Sequence, residues 1–200
     1  MYKVNDHQFI SLTNTLTGDE DRLDHIAFET TDAQLLCNYL VAHGVKAPAS
    51  LKPDAEGDLS FMVEDPEGHR IEFVEYRKGS QVSRDFGKHL SKSRISERII
   101  HGGFTIQDAA AADRFYATAL DFRNTWHGGM TDTKTDWVDM RVPEGPDWLE
   151  YMLNQPHPSV KTRGVMNHLA LGRPRHPSGL SDPPREGAQN GWPAEDRPRW

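Results

Sequence analysis

Glu64-Asp65-Pro66-Glu67-Gly68-His69-Arg70-Ile71-Glu72-Phe73-Val74-Glu75 is the stretch that decides how this chain folds. Proline fixes φ at the second position of Asp65-Pro66-Glu67-Gly68 and glycine closes it, so these four residues make a tight turn. The run from His69 to Tyr76 that follows reads as a strand. Successive strand side chains point to opposite faces, so Ile71 and Phe73 go one way and Glu72 the other. If the apolar side packs under a helix, Glu72 projects into the concave face of the sheet. An unpaired carboxylate is costly to bury there, and a cation is an obvious partner.

Outward from this turn, Leu59 to Val63 is a clear strand, and residues 46–52 are expected to add a short one. Leu23-Asp24-His25-Ile26-Ala27-Phe28-Glu29 is the opening strand. Thr31 or Asp32 caps a helix from Ala33 to about Ala42, which Gly44 ends. The lone cysteine, Cys37, falls inside this helix and reads as a small buried apolar residue. A single cysteine excludes an intramolecular disulfide and a multi-cysteine zinc site.

After a charged connector the same β-α-β-β-β order returns. Ile99 to Ile106 reads as a strand, and Asp108 caps an alanine-rich helix from Ala109 to Leu120. Further strands are expected at 124–127 and 137–142, and at 148–153 beyond the turn Pro143 to Asp147. This internal repeat is the most informative feature of the sequence. Residues 165–171 resemble the opening strand once more. After that the chain changes character: Pro174, Pro177, Pro183, Pro184, Pro193 and Pro198 all fall in a stretch with almost no apolar periodicity. Such a composition predicts disorder. The abrupt switch suggests a frameshifted or truncated end.

Each repeat carries a histidine on its first strand and a glutamate on its last. His25 and Glu72 are 47 residues apart, and His101 and Glu150 are 49 apart. His168 stands at the same point of its own strand. Imidazole with carboxylate suits Zn, Fe(II), Mn, Ni or Co rather than Ca. His43, His69, His89, His127, His157 and His176 lie in loops, turns or helix ends and receive no role. Arg70, Arg141, Trp126, Trp137 and Trp148 are pocket-lining candidates, though strand packing explains the aromatics equally well. The net charge of −7 gives no field favouring nucleic acid or an anionic membrane. There is no membrane-length apolar run and no apolar leader at Met1 to Asp6, so a cytoplasmic location is the default expectation.

The segments Leu23 to Glu29 and Glu64 to Glu75 resemble a βαβββ module of the vicinal oxygen chelate superfamily, which groups glyoxalase I, bleomycin-resistance proteins and extradiol dioxygenases. Residues 98–153 resemble a second module. The resemblance implies an α+β fold: two βαβββ glyoxalase-like modules with mixed cupped sheets, an orphan N-terminal strand and a disordered C-terminal tail. It divides the chain into residues 1–21, the remnant strand of a preceding module, then a module over 22–76, a linker over 77–98, a module over 99–154, the start of a further module over 155–172, and the tail 173–200. This order is that of a fragment of a four-module relative.

By the family's pattern His25, Glu72, His101, Glu150 and His168 all stand at positions for ligands of one divalent metal. Glu72 or Glu150 is the expected proton carrier. The function implied is a metal-dependent lyase or isomerase of the glyoxalase type acting on a small oxygenated substrate. An Fe(II) extradiol dioxygenase is the alternative, and a non-catalytic small-molecule binding protein is a third. Two ligand sets are open: His101, Glu150 and His168, or His25 and Glu72 with His101 and Glu150 if the two modules pair. Pairing between chains in a homodimer is the other way to complete a site.

Overall fold

A computed structural model describes residues 1–14, 22–155, 159 and 168–172. The tail 173–200 lies outside the described residues. The first module runs β3 (His25–Glu29), α1 (Ala33–Ala42), β4 (Leu59–Glu64) and β5 (Arg70–Glu75), after two short strands β1 (Tyr2–Lys3) and β2 (Phe9–Ile10). Its sheet has the order β3-β5-β4, with β3 parallel and β4 antiparallel to β5. Helix α1 begins where a cap is available, the Asp32 side chain accepting from the Leu35 amide at 2.8 Å. It ends at Gly44, whose φ of +82° suits glycine. Its buried residues Ala33, Cys37 and Leu40 join Phe61, Val63, Ile71 and Phe73 in one core. Helix and Glu72 therefore occupy opposite faces of the sheet, as alternation along β5 requires.

Residues 46–52 do not form the expected strand, so this module is βαββ. Pro48 within the segment and Pro53 directly after it have no amide to give a ladder. Helix side chains serve its backbone instead: the Cys37 thiol donates to the Pro48 carbonyl at 3.1 Å, and the Leu51 amide donates to the Gln34 side chain at 3.0 Å.

The second module is a full βαβββ unit. It comprises β6 (Arg98–Thr105), α3 (Ala109–Asp113) continued by a π-helical segment Arg114–Ala119, β7 (Arg123–Gly128), β8 (Trp137–Arg141) and β9 (Trp148–Met152). β10 (His168–Gly172) adds antiparallel to β6, giving a five-stranded mixed sheet in the order β10-β6-β9-β8-β7. Asp108 caps α3 as its position predicts, accepting from the Ala111 amide at 2.9 Å. Leu149 and Tyr151 face the helical side, with Tyr151 packing against Tyr116 at a centroid distance of 5.8 Å. Glu150 points the other way.

The two modules share a single core cluster. Phe28 of the first meets Phe122 of the second edge-on at 5.2 Å. Gly102 permits close approach, since a Cβ there would lie 2.3 Å from Ile26 Cδ1. The Asp65 turn works as a latch between modules. Asp65 accepts the Tyr116 hydroxyl at 3.0 Å, and Glu67 accepts the amides of Gln107 and Asp108 at 2.7 and 2.8 Å. His69 stacks on Phe104 at 4.4 Å.

The N-terminal piece is a two-strand hairpin of β1 and β2, not one strand. Between them, Gln8 imitates a neighbouring strand: its side chain donates to the Ile99 carbonyl and accepts from the Ile99 amide. The connector contains a short helix, α2 (Gln81–Arg84), and no helix among the described residues is long and apolar enough to cross a membrane.

Candidate functional site

The sheet register assembles the site. His168 pairs with Gly103, and Gly103 pairs with Glu150 on its other side, so the three form one cross-strand row. His101 lies two residues before Gly103 and therefore on the same face. Opposite that face, Phe104, Leu149 and Tyr151 are in the core. The His101 and His168 Nε2 atoms stand 3.0 Å apart. Glu150 Oε2 is 3.9 Å from the first and 3.4 Å from the second. Side-chain exposure is 15% for His101, 17% for Glu150 and 36% for His168, so the cluster is sheltered yet reachable from solvent.

Among the described residues this is the group of His, Cys, Asp and Glu side chains that can hold a metal ion, its donor atoms all within 4.8 Å of one another. Two donors each about 2.0–2.1 Å from one ion stand about 3.0 Å apart at a right angle and about 3.4 Å apart at the tetrahedral angle. The two shorter separations, 3.0 and 3.4 Å, match these values, and the third, 3.9 Å, is longer. Gly103 leaves room for the His168 ring: a Cβ there would lie 2.4 Å from His168 Cε1 and 2.7 Å from its Nδ1. Any side chain at 103 displaces the His168 ring. Trp148 lies against His101 with ring centroids 5.1 Å apart and limits its movement. The residues present fit a divalent cation.

His25 and Glu72 are not brought into this cluster. They bind each other, His25 Nε2 lying 3.2 Å from Glu72 Oε2, while His25 Nδ1 lies 2.6 Å from Asp24 Oδ2. Arg70 pairs with Asp24 in turn. The hydrogen bond to Glu72 raises the His25 pKa, with Asp24 adding to it against the opposing effect of burial. The same bond to His25 lowers that of Glu72. Both nitrogens of His25 face carboxylates, which is an ion-pair arrangement. The four-donor set drawn from both modules is thus not assembled, and the set that includes His168 is.

Two features escaped the sequence reading. His69 was assigned no role, yet it is buried, 2.8 Å from Asp65. Its place directly after the glycine of the turn was the available signal. Asp139 pairs with Glu150 in register and is 6% exposed, so it lies beside the cluster on the same face. Only the strand pairing reveals it.

The mixed sheet thus carries two imidazoles and a carboxylate on its uncovered face, a group that could hold a metal ion. Residues 5–73 match the family model of the Glyoxalase/Bleomycin resistance protein/Dioxygenase superfamily. No curated protein matches. Solved structures similar to this one include a Mn(II)-bound glyoxalase from Novosphingobium aromaticivorans, at 16% identity and TM-score 0.47, over 67% of this chain and 42% of that one. Another is a glyoxylase/bleomycin resistance protein/dioxygenase domain from Frankia sp. EAN1pec, at 15% identity and TM-score 0.42, over 70% of this chain and 98% of that one. A third is the 2,3-dioxygenase LapB from Pseudomonas sp. KL28, at 13% and 0.48, over 65% and 49%. The chain spans less than half the length of the first and third of these.

Proposed function

We propose that the chain is a divalent-metal-dependent enzyme acting on a small substrate with two neighbouring oxygens, its ion held by His101, Glu150 and His168. The convergence of those three donors on the uncovered face carries this reading. When bound, the ion supplies Lewis-acid polarisation of the substrate oxygens. Glu150 brings one negative charge against two positive ones, so the site retains an attraction for an anionic or readily deprotonated oxygen ligand. Gly103 leaves the space in which His168 reaches the site, and Trp148 steadies His101. Asp139, beside Glu150, is the nearest carboxylate in register outside the ligand set. It is placed to take up or return a proton in a lyase or isomerase reaction of the glyoxalase type.

A second reading is favoured by the donor set itself. Two histidines and one carboxylate with open positions are the ligands of non-haem Fe(II) oxygenases. An extradiol ring cleavage is the corresponding reaction.

The assay that separates them uses the full chain loaded with Mn²⁺, Ni²⁺, Zn²⁺ or Fe²⁺. Turnover of the hemithioacetal of methylglyoxal and glutathione supports the isomerase reading. Oxygen uptake with catechol under Fe²⁺ alone supports the dioxygenase. Ligand binding with neither metal uptake nor turnover of either compound supports the metal-free, non-catalytic binding protein. Absence of metal uptake contradicts both metal-dependent readings.

A further inference from the structure

Resting on that metal site, we propose that Trp126 is a platform for a flat aromatic body attached to the chelating end of the ligand. The register places it. Trp126 pairs with Asp139, Asp139 with Glu150, Glu150 with Gly103, and Gly103 with His168. The row crosses the whole five-stranded sheet on the face away from the core. Adjacent strands lie about 4.8 Å apart, so Trp126 sits roughly 10 Å along the row from Glu150.

Its indole does not stand up from the sheet. Gly128 is two residues further along β7 on the same face, and a Cβ there would lie 2.5 Å from Trp126 Cζ2 and 2.6 Å from Cη2. The ring therefore lies down along its own strand, over the glycine. Gly103 does the same for His168 at the other end of the row. Trp137 pairs with Gly128 and borders the same patch. Neither tryptophan belongs to the buried core, and both keep part of their surface exposed. An indole lying flat on an uncovered sheet presents its π face, the surface on which an arene stacks.

The inference selects among substrates: a compound whose two oxygens meet the ion and whose arene extends about 10 Å toward β7 is favoured over a small aliphatic one. Two hydroxamates with the same bidentate head test it on zinc-loaded protein by calorimetric titration: acetohydroxamate and biphenyl-4-carbohydroxamate. The wild type is expected to prefer the biphenyl compound at least tenfold. Trp126→Ala is expected to remove most of that preference while leaving acetohydroxamate affinity unchanged. Gly128→Ala, which lifts the ring without deleting it, should act in the same direction. A preference that survives both substitutions overturns the inference, as does equal weakening of both ligands. Equal affinity of the wild type for the two hydroxamates overturns it with the metal reading intact. Failure of the wild type to take up zinc overturns both.

Discussion

Asp65 ties several groups together through one carboxylate. Its Oδ1 accepts from the amides of Glu67 and His69, and its Oδ2 takes the Tyr116 hydroxyl and faces His69 Nδ1 at 2.8 Å. Burial pushes the carboxyl pKa up, but the His69 imidazole and the two amides outweigh it and hold the value below the ordinary 3.8. A depressed folded pKa contributes stability that is fully present above pH 3.8 and is lost as pH falls through the lower folded value. Thermal melts of wild type and Asp65→Asn are therefore expected to differ most near neutral pH and to converge below 3.8. A difference independent of pH contradicts this account of the latch. Tyr116→Phe, which deletes a hydrogen bond to a charged group, is expected to cost about 1.5–3 kcal/mol in denaturant unfolding. In the candidate metal site, Gly103→Ala should weaken metal binding by about tenfold or more by moving His168, an effect of the size seen for lost supporting residues. Unchanged affinity shows that the His168 ring does not need that space. The sequence pattern marks all five candidate ligands, but His25 and His168 look alike in it. What separates them is long-range: β10 pairs with β6 beside His101, whereas Asp24 and Glu72 occupy both nitrogens of His25.

Local chemistry made some elements legible and left others hidden. Helix α1 has its bounds written in the sequence, with Asp32 as cap and Gly44 as terminator. Its single apolar face then buries Ala33, Cys37 and Leu40. Leu40 is 0% exposed, and Leu40→Ala is expected to cost about 2–5 kcal/mol by leaving a cavity among Phe61, Ile71 and Phe73. A loss well under 1 kcal/mol in urea unfolding contradicts the packing of α1 on this sheet. Residues 46–52 misled for a physical reason. The segment lies where a strand would complete the module, but Pro48 and the adjoining Pro53 lack the amide a ladder needs, and the side chains of Gln34 and Cys37 give the backbone other partners. The expected N-terminal strand is a hairpin that pairs with itself, and it meets the second module through the Gln8 side chain, which bonds the Ile99 backbone as a ladder partner would. The second helix was expected to be α-helical to Leu120; it turns π-helical from Arg114, and nothing in the structure explains that change.

At the scale of the molecule, the repeat in the sequence is also a repeat in space, and the two units are not independent. One core runs through both, and the turn that decided the fold reaches across to cap the other module's helix. Unfolding is therefore expected to be cooperative. The first module has no tryptophan and the second has Trp126, Trp137 and Trp148, so the change in their fluorescence reports the second module while far-ultraviolet circular dichroism reports both. The two curves should coincide, and Leu40→Ala in the first module should shift both equally. Separate transitions contradict the shared core. The central claim, a metal site built from His101, Glu150 and His168, meets its most direct test in a Co²⁺ titration followed by visible absorption. The structure predicts one ion per wild-type chain, the same spectrum with His25→Ala, and loss of the bound-metal bands with His101→Ala, Glu150→Ala and His168→Ala. A spectrum that survives His168→Ala but disappears with His25→Ala contradicts it.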